Sequence, residues 1–206
     1  AVIDGINADP AIHGCLLFRP LPAHLKDRQQ EICNRLDPKK DVDCMTHISS
    51  AGVFEGLELG YPPCTPTACM EVLRHYGIDC SGKNVAVIGR SLVVGKPVAM
   101  MLMGENATVT VCHTKTADTA AVCQRADIIV SAAGVLGSLT ADFVRPGQTV
   151  IDVSINWDES KGSIAGDAKF DEVAAIVDSI TPVPGGVGAV TTSVLMKHVI
   201  LSAEKN

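Results

Sequence analysis

The chain has 206 residues, of which 47% are hydrophobic and 19% charged, with 18 glycines and a formal net charge of −6. That balance belongs to one large folded domain or two small ones with ample core, and it excludes a disordered chain. The acidic charge, without a basic stripe or a basic segment rich in aromatics, argues against a nucleic-acid partner and leaves room only for a local phosphate site.

The opening stretch, Ala1–Pro10, carries acids and no basic n-region, so no secretory signal is expected. His13–Phe18 reads as a strand closed by Pro20-Leu21-Pro22. Leu25, Ile32, Cys33 and Leu36 then mark one face of a helix that stops before Asp37-Pro38. Pro62-Pro63-Cys64-Thr65-Pro66 is a rigid break that opens a second helix, with Ala68, Cys69, Val72, Leu73 and Tyr76 on one side and Gly77 at its end. From Lys83 to Ile155 strands alternate with helices. The strands are Asn84–Ile88, Ala107–Cys112, Asp127–Ser131 and Thr149–Ile155, and helical spacing follows Gly95 and occupies 117–125. Continuous apolar strands between amphipathic helices indicate a parallel sheet covered on both faces, in a Rossmann-type doubly wound α/β fold. The last helix, Val190–Ala203, is apolar nearly all round and reads as buried against the first region. The expected division is therefore 1–65 with 190–206, and 66–189. Apolar runs such as Cys15–Phe18 and Val98–Met103 are too short to cross a bilayer.

Eight cysteines raise a disulfide or metal reading. Cys15, Cys33, Cys69, Cys112 and Cys123 sit in apolar stretches, no pair has C-x-x-C spacing, and Cys112-His113 stands alone. They read as reduced core thiols of a reducing, cytoplasmic setting, with no metal site.

The loop from Gly89 to Pro97 joins a strand to a helix, where backbone N–H groups and the helix dipole favour an anion. It is not a Walker A loop, because its glycines are six apart and Pro97 stands at the magnesium-binding Ser/Thr position. A bare strand–helix turn fits the same string. The end of the second strand separates the readings. An NAD site places an acid there for the ribose 2′-hydroxyl, whereas this chain has His113, Thr114, Lys115 and Thr116. With Arg90 and Ser91, those donors favour the 2′-phosphate of NADP.

Several ordered segments resemble one family closely. Gly89-Arg90-Ser91-x-x-Val94-Gly95-x-Pro97 is similar to the cofactor signature of methylenetetrahydrofolate dehydrogenase/cyclohydrolases, and Ile180–Gly188 to their C-terminal signature. His13-Gly14, Pro20-Leu21-Pro22, Lys40-Asp41-Val42-Asp43 and Pro63-Cys64-Thr65-Pro66 follow the family's order, so the likeness spans essentially the whole chain. The resemblance implies oxidation of 5,10-methylenetetrahydrofolate with NADP, hydrolysis of the methenyl product in bifunctional members, and a two-domain protomer that is usually a homodimer. It completes the fold expectation: a Rossmann-type NADP domain beside part of an N-terminal α/β folate-binding domain, finished by the C-terminal helix. It places Gly89, Arg90, Ser91, Thr114 and Ile155 at the cofactor, and Asp43 at the pterin. It places Leu17, Phe18, Arg19, Pro184, Gly185, Gly186, Val187 and Gly188 at the folate substrate. On spacing alone Asp43 is equally a turn or helix cap, and Pro184–Gly188 equally a turn before the last helix.

The chain departs from the family in three places. It begins downstream of the family's Tyr-x-x-x-Lys segment, which holds the catalytic lysine. Phe18-Arg19 stand where Gln-Leu is usual, and that Gln is expected to bond the lysine. Ala189 replaces a Pro. Lys26, Lys39 and Lys40 read as solvated and do not replace the missing base. Cyclohydrolase turnover is therefore not expected of this chain. The competing readings are a shikimate-dehydrogenase-like NADP reductase and a degenerate NADP-binding protein without turnover.

Overall fold

In the computed structural model, which describes residues 1–19 and 21–205, the chain divides into two units: Ala1–Cys64 with Thr192–Asn206, and Thr65–Thr191. Pro20, part of the expected Pro-Leu-Pro closure, lies outside the described residues.

The first unit begins with three helices, α1 (Val2–Ala8), α2 (Gln29–Cys33) and α3 (His47–Glu55). The segments between them are irregular and are tied by single buried side chains. Asp41 has no solvent exposure; Oδ1 accepts the Met45 N–H at 2.8 Å, and Oδ2 accepts the Thr46 N–H at 2.8 Å and the Ser49 hydroxyl at 2.6 Å. A buried carboxylate is tolerated only with such donors. Lys40 is not solvated as its sequence context suggested. It is buried, and Nζ donates to the carbonyls of Ile6, Asn7 and Asp9 at 2.6, 3.1 and 2.7 Å, filling orphan acceptors at the end of α1. Cys33, Leu36 and Met45 form a small core, with Ile3, Ile6, Cys15 and Leu17 packed against it.

Two further sequence expectations fail in this unit. Residues 13–18 form no strand and pair only through one bridge, Cys15 to Asp41, with the Cys15 N–H on the Lys40 carbonyl at 2.8 Å. A strand needs a ladder, and among the described residues only this one pairing is offered. The single helix expected across Leu25–Leu36 is instead a 3₁₀ stretch, Ala23–Arg28, followed by α2. Every residue from Lys26 to Glu31 is polar, so no apolar face holds that stretch in one continuous helix.

The second unit opens with α4 (Cys64–His75), whose first residue belongs to the first unit. Ala68, Cys69, Val72 and Leu73 are buried along one side, and Gly77 closes the turn at φ 66°, a conformation that suits glycine. Tyr76, expected on the buried side, is 72% exposed because the helix has ended before it. Next come β1 (Asn84–Ile88), α5 (Gly95–Gly104), β2 (Thr108–Cys112), α6 (Thr119–Arg125), β3 (Ile128–Ser131) and β4 (Thr149–Asp152). An antiparallel hairpin, β5 (Asn156–Asp158) and β6 (Ser163–Ala165), precedes α7 (Phe170–Ala174) and the short β7 (Ser179–Ile180). The main sheet is parallel, in the order β2-β1-β3-β4-β7. Val85, Ala86 and Val87 are buried in succession, as a central strand covered on both faces requires. One face packs Ala86, Ile129 and Val150 against Cys123 of α6 and Val173 of α7. Truncating Ile129 to Ala there would cost roughly 2–5 kcal/mol. The fourth strand ends at Asp152, three residues before its expected end, so Ile155 lies in the following loop.

The final helix, α8 (Val187–Lys205), is apolar nearly all round but is buried only along a stripe. Val194, His198 and Ser202 recur at four-residue spacing on that stripe, while Met196 and Ile200 are more than half exposed. Within the first unit the Ser202 hydroxyl donates to the carbonyls of His13 and Lys39. His198 Nδ1 lies 3.0 Å from the Val42 carbonyl, which can only accept, so Nδ1 carries a proton. Burial pushes the His198 pKa down.

Candidate functional site

Parallel register brings the loops after the central strands of the second unit to one edge. Ile88 is level with Cys112 on one side and Ser131 on the other, and Ser131 is level with Asp152. The chain leaves β1 for β2 in one direction and reaches β3 on the opposite side. That reversal is the switch point beyond whose carboxyl ends open α/β sheets bind ligands. Two glycines open space there. A Cβ on Gly89 (φ 116°) would lie 2.3 Å from the Ala132 carbonyl oxygen, and one on Gly95 would lie 2.2 Å from the Gly89 oxygen. Strand, loop and helix therefore approach more closely than any other residue permits.

The start of α5 differs from the expected anion site. Ser91 Oγ accepts the N–H groups of Val94 and Gly95 at 3.0 and 3.3 Å, the Ser91 carbonyl accepts that of Lys96 at 3.0 Å, and Pro97 has none. The helix thus satisfies its own first turn. What remains for an anion is the preceding loop: Arg90, Ser91, Leu92 and Val93 are exposed, and their N–H groups meet no acceptor among the described residues. The Arg90 guanidinium likewise has no ion pair or hydrogen bond there. Beside this loop, His113–Thr116 form a tight turn. The Thr116 hydroxyl accepts the His113 N–H at 2.9 Å, and His113 Nδ1 accepts the Lys115 N–H at 3.1 Å. His113 is left with Nε2 as its donor, and Thr114 and Lys115 are exposed. The first acid after β2, Asp118, is occupied as the cap of α6, accepting the Ala121 N–H at 2.9 Å.

Past β4, Ile155 is 64% exposed. A Cβ on Gly188 would sit 3.9 Å from Ile155 Cδ1, so the start of α8 lies beside the loop that carries Ile155. In that segment Gly185 has φ 96°, and a Cβ on Gly186 would strike the Pro182 carbonyl oxygen at 2.4 Å. Pro184 is exposed at the turn and Val187 is buried as the first residue of α8. The string is therefore a tight turn that leaves Pro184, Gly185 and Gly188 exposed.

In the first unit, Asp43 is one-fifth exposed and engaged on both oxygens. Oδ1 accepts the Cys64 N–H at 3.0 Å, and Oδ2 pairs with Arg19 Nη2 at 3.2 Å. The capping and ligand readings are thus not exclusive: one oxygen holds the chain at the start of α4, and each oxygen keeps a further lone pair. Leu17 packs on the small core and its N–H reaches Met45 Sδ at 3.3 Å, while Phe18 is 83% exposed. Sequence reasoning missed Asp41 and His198, whose partners lie 4–8 and 156 residues away. All eight cysteines are free thiols, seven of them buried. Burial pushes Cys44 up to about 11 and Cys69 and Cys123 up to about 12, which makes them inert at neutral pH.

The pattern that defines the tetrahydrofolate dehydrogenase/cyclohydrolase NAD(P)-binding domain matches residues 63–206, and that of the same family's catalytic domain matches residues 1–43. The chain belongs to the tetrahydrofolate dehydrogenase/cyclohydrolase family. It is 51% identical over 205 residues to the bifunctional protein FolD of Carboxydothermus hydrogenoformans, covering 99% of this chain and 70% of that one. Two solved structures of the family are also similar. The bifunctional FolD methylenetetrahydrofolate dehydrogenase/cyclohydrolase of Campylobacter jejuni superposes with a TM-score of 0.94 at 43% identity, over 99% of this chain and 71% of the other. The Trypanosoma brucei enzyme, complexed with NADP and an inhibitor, gives 0.91 at 36% identity, over 99% and 71%. Together with the observed parallel sheet, this family likeness identifies the second unit as the family's Rossmann-type nucleotide domain.

Proposed function

We propose that this chain oxidises 5,10-methylenetetrahydrofolate to 5,10-methenyltetrahydrofolate with NADP. The observation that carries the reading is the edge after β1 and β2, where Arg90, Thr114 and Lys115 are exposed and the first acid, Asp118, comes six residues after Cys112 as the cap of α6. A 2′-phosphate is favoured by those donors and would be repelled by the carboxylate of an NAD site. Gly89, Arg90, Ser91 and Thr114 would hold the adenosine end, and the Ile155 backbone the nicotinamide side. Bound NADP supplies the hydride acceptor, so the protein's task is to orient two ligands and exclude water. Asp43 would accept the parallel N–H donors of the amino-pyrimidinone edge of the pterin. Arg19 already shares its Oδ2, so the pterin must join or displace that guanidinium. Leu17, Phe18 and Arg19 would be the first unit's further folate contacts, and the Pro184–Gly188 turn is the second unit's candidate folate segment.

The same reading takes the chain as part of a cytoplasmic homodimer. No described helix is long and apolar enough to cross a membrane. The second unit leaves Tyr76 exposed, together with Trp157, which faces Ile164 across the β5–β6 hairpin. Light scattering on the purified protein would test the dimer.

Substrate-dependent formation of NADPH tests the activity, and its absence with intact NADP binding would leave only a nucleotide-binding protein. Arg90→Ala should weaken NADP binding by roughly 1.5–3 kcal/mol, the worth of a charged hydrogen bond, and leave NAD binding nearly unchanged. Equal losses in calorimetry would make Arg90 structural. Asp43→Asn replaces an acceptor by a donor, and should weaken a folate analogue while NADP affinity stays within about twofold. Unchanged analogue binding would reduce Asp43 to its role at the start of α4.

A further inference from the structure

Asp167 follows β6, has no solvent exposure, and receives six donors. Oδ2 accepts the hydroxyls of Ser131 and Ser154 at 3.0 and 2.7 Å and the N–H groups of Ala133 and Gly134 at 2.8 and 3.2 Å. Oδ1 accepts the Val135 N–H at 2.8 Å and the Asn156 side-chain amide at 3.1 Å. These donors come from the end of β3, the loop after it, the loop after β4 and the first residue of β5. Ser154 joins the two loops directly, since its oxygen also accepts the Gly134 N–H at 3.1 Å. Asp167 is itself held from below by Asp152, whose carboxylate accepts the N–H groups of Asp167 and Ala168 at 3.1 and 2.8 Å. Gly166 lies so close to that carboxylate that a Cβ would sit 2.0 Å from Asp152 Oδ2.

This concentration of bonds lies on the far side of the switch point from the Arg90 and Thr114 loops. A dinucleotide crosses the crevice, so with its adenosine end over β1 and β2 its other end reaches the loops after β3 and β4. Val135, Leu136 and Ile155 stand exposed on those two loops, apolar sides suited to a flat ring. We infer that Asp167, with Ser154, is a positioning residue for the nicotinamide half of the site: it locks the loops after β3 and β4 in the one arrangement that receives the ring. The inference rests on the nucleotide reading of the second unit, but not on the folate reading of the first. A residue that merely stabilised the fold would affect both halves of the nucleotide alike, whereas Asp167 affects one.

The test uses the full chain and two probes, NADP and adenosine 2′,5′-bisphosphate, the second lacking the nicotinamide half. Ser154→Ala removes one hydroxyl from a half-buried loop position, and Asp167→Asn turns one acceptor into a donor facing other donors. Each variant should bind NADP about tenfold more weakly, the loss expected for one hydrogen-bonded tether, while bisphosphate affinity stays within about twofold. Ser154→Ala keeps the measurement available if Asp167→Asn does not fold. Parallel losses for both probes, or no loss for NADP, overturn the inference. Failure of the unmodified chain to bind the bisphosphate overturns the nucleotide reading, and this assignment with it.

Discussion

Between Thr65 and Thr191, five parallel strands supply a continuous hydrogen-bonded ladder, and helices cover apolar faces that alternate in a regular order. In the first unit, no two described strands form a ladder, and the chain is held by Asp41, Lys40, His198 and Ser202, each reaching across sequence to backbone groups. A ladder spreads its free energy over many equivalent bonds, so losing one costs little. A tether concentrates it: removing one side chain strands several buried donors or acceptors together. The strands of the second unit should therefore tolerate most single polar changes, whereas the first unit, like the Asp167 loops of the second, should fail at identifiable residues.

The largest expected effect separates the units by chemistry. Hydride transfer draws on the nucleotide held by the second unit, whereas opening the methenyl bridge needs water and a positioned base. In this 206-residue polypeptide neither tyrosine precedes a lysine by four residues; Thr65 and Cys80 stand at those places. Lys40, one of the three nearest in sequence to Phe18, is committed to three carbonyls. Hydrolysis of methenyltetrahydrofolate by this polypeptide should be ~10²–10⁴-fold slower than by one extended with the family's Tyr-x-x-x-Lys segment, the usual worth of general acid–base assistance. Decay of the methenyl absorbance measures both. Fast hydrolysis without the segment would remove the base from it, and fast hydrolysis with it would show that Phe18 is tolerated.

Next in size is a stability effect confined to the first unit. Asp41→Ala leaves the Met45 and Thr46 N–H groups and the Ser49 hydroxyl without their acceptor. At about 1–3 kcal/mol for each unsatisfied buried group, part of it recovered by local relaxation, the loss should be on the order of 3–4 kcal/mol. Hydrogen exchange should show α3 amides opening while β1 and β3 amides keep their protection. Equal loss of protection in both units would mean that they unfold as one, and the contrast between ladder and tether would have no energetic content.

That contrast also explains what could be read from the sequence. The expected Asn84–Ile88 matches β1 to the residue, and Ala107–Cys112 and Asp127–Ser131 match β2 and β3 to within one, because these strands are runs of β-branched and small residues, the buried β1 and β3 and the largely exposed edge strand β2 alike. The absence of an acid after Cys112 could be read the same way, since it is a local string. Lys40 could not: its three acceptors lie 31–34 residues upstream, and nothing in Pro38-Lys39-Lys40 distinguishes a solvated turn from a buried cap. His13–Phe18 looked like a strand because its composition suits one, but composition does not supply a neighbour. Asp167 carried one faint signal, the Gly166 before it, which marks a place where backbone and carboxylate come too close for a side chain. Regular strands are legible in a local string, and side chains that reach between loops are not.

The smallest expected effect is one of pH, and its sign should differ between the units. His198 is buried in the first unit, and burial holds its pKa below the usual 6.5. The folded state then binds fewer protons than the unfolded one, so this residue's contribution is complete above about pH 6.5 and is lost as pH falls through the folded pKa. Asp152 is buried in the second unit, and there burial, reinforced by the neighbouring Asp167 charge, raises the pKa above 3.8 despite the N–H donors around it. The folded state now binds more protons, so the contribution is complete below about 3.8 and is lost as pH rises through the folded pKa. Acidification from neutral pH should thus loosen α8 and its contacts in the first unit while relieving the second of a cost. Hydrogen exchange across this range, read separately on α8 and on β4, can follow both. His198→Asn keeps a donor for the Val42 carbonyl but cannot titrate, and should flatten the α8 profile. Asp152→Asn should flatten that of β4. Profiles of the same sign in both units, or profiles unmoved by these substitutions, would show that surface carboxylates govern the response to acid, such as Asp4, whose pKa is lowered by the Ala1 ammonium and then Arg35, and Glu31, lowered by Arg28.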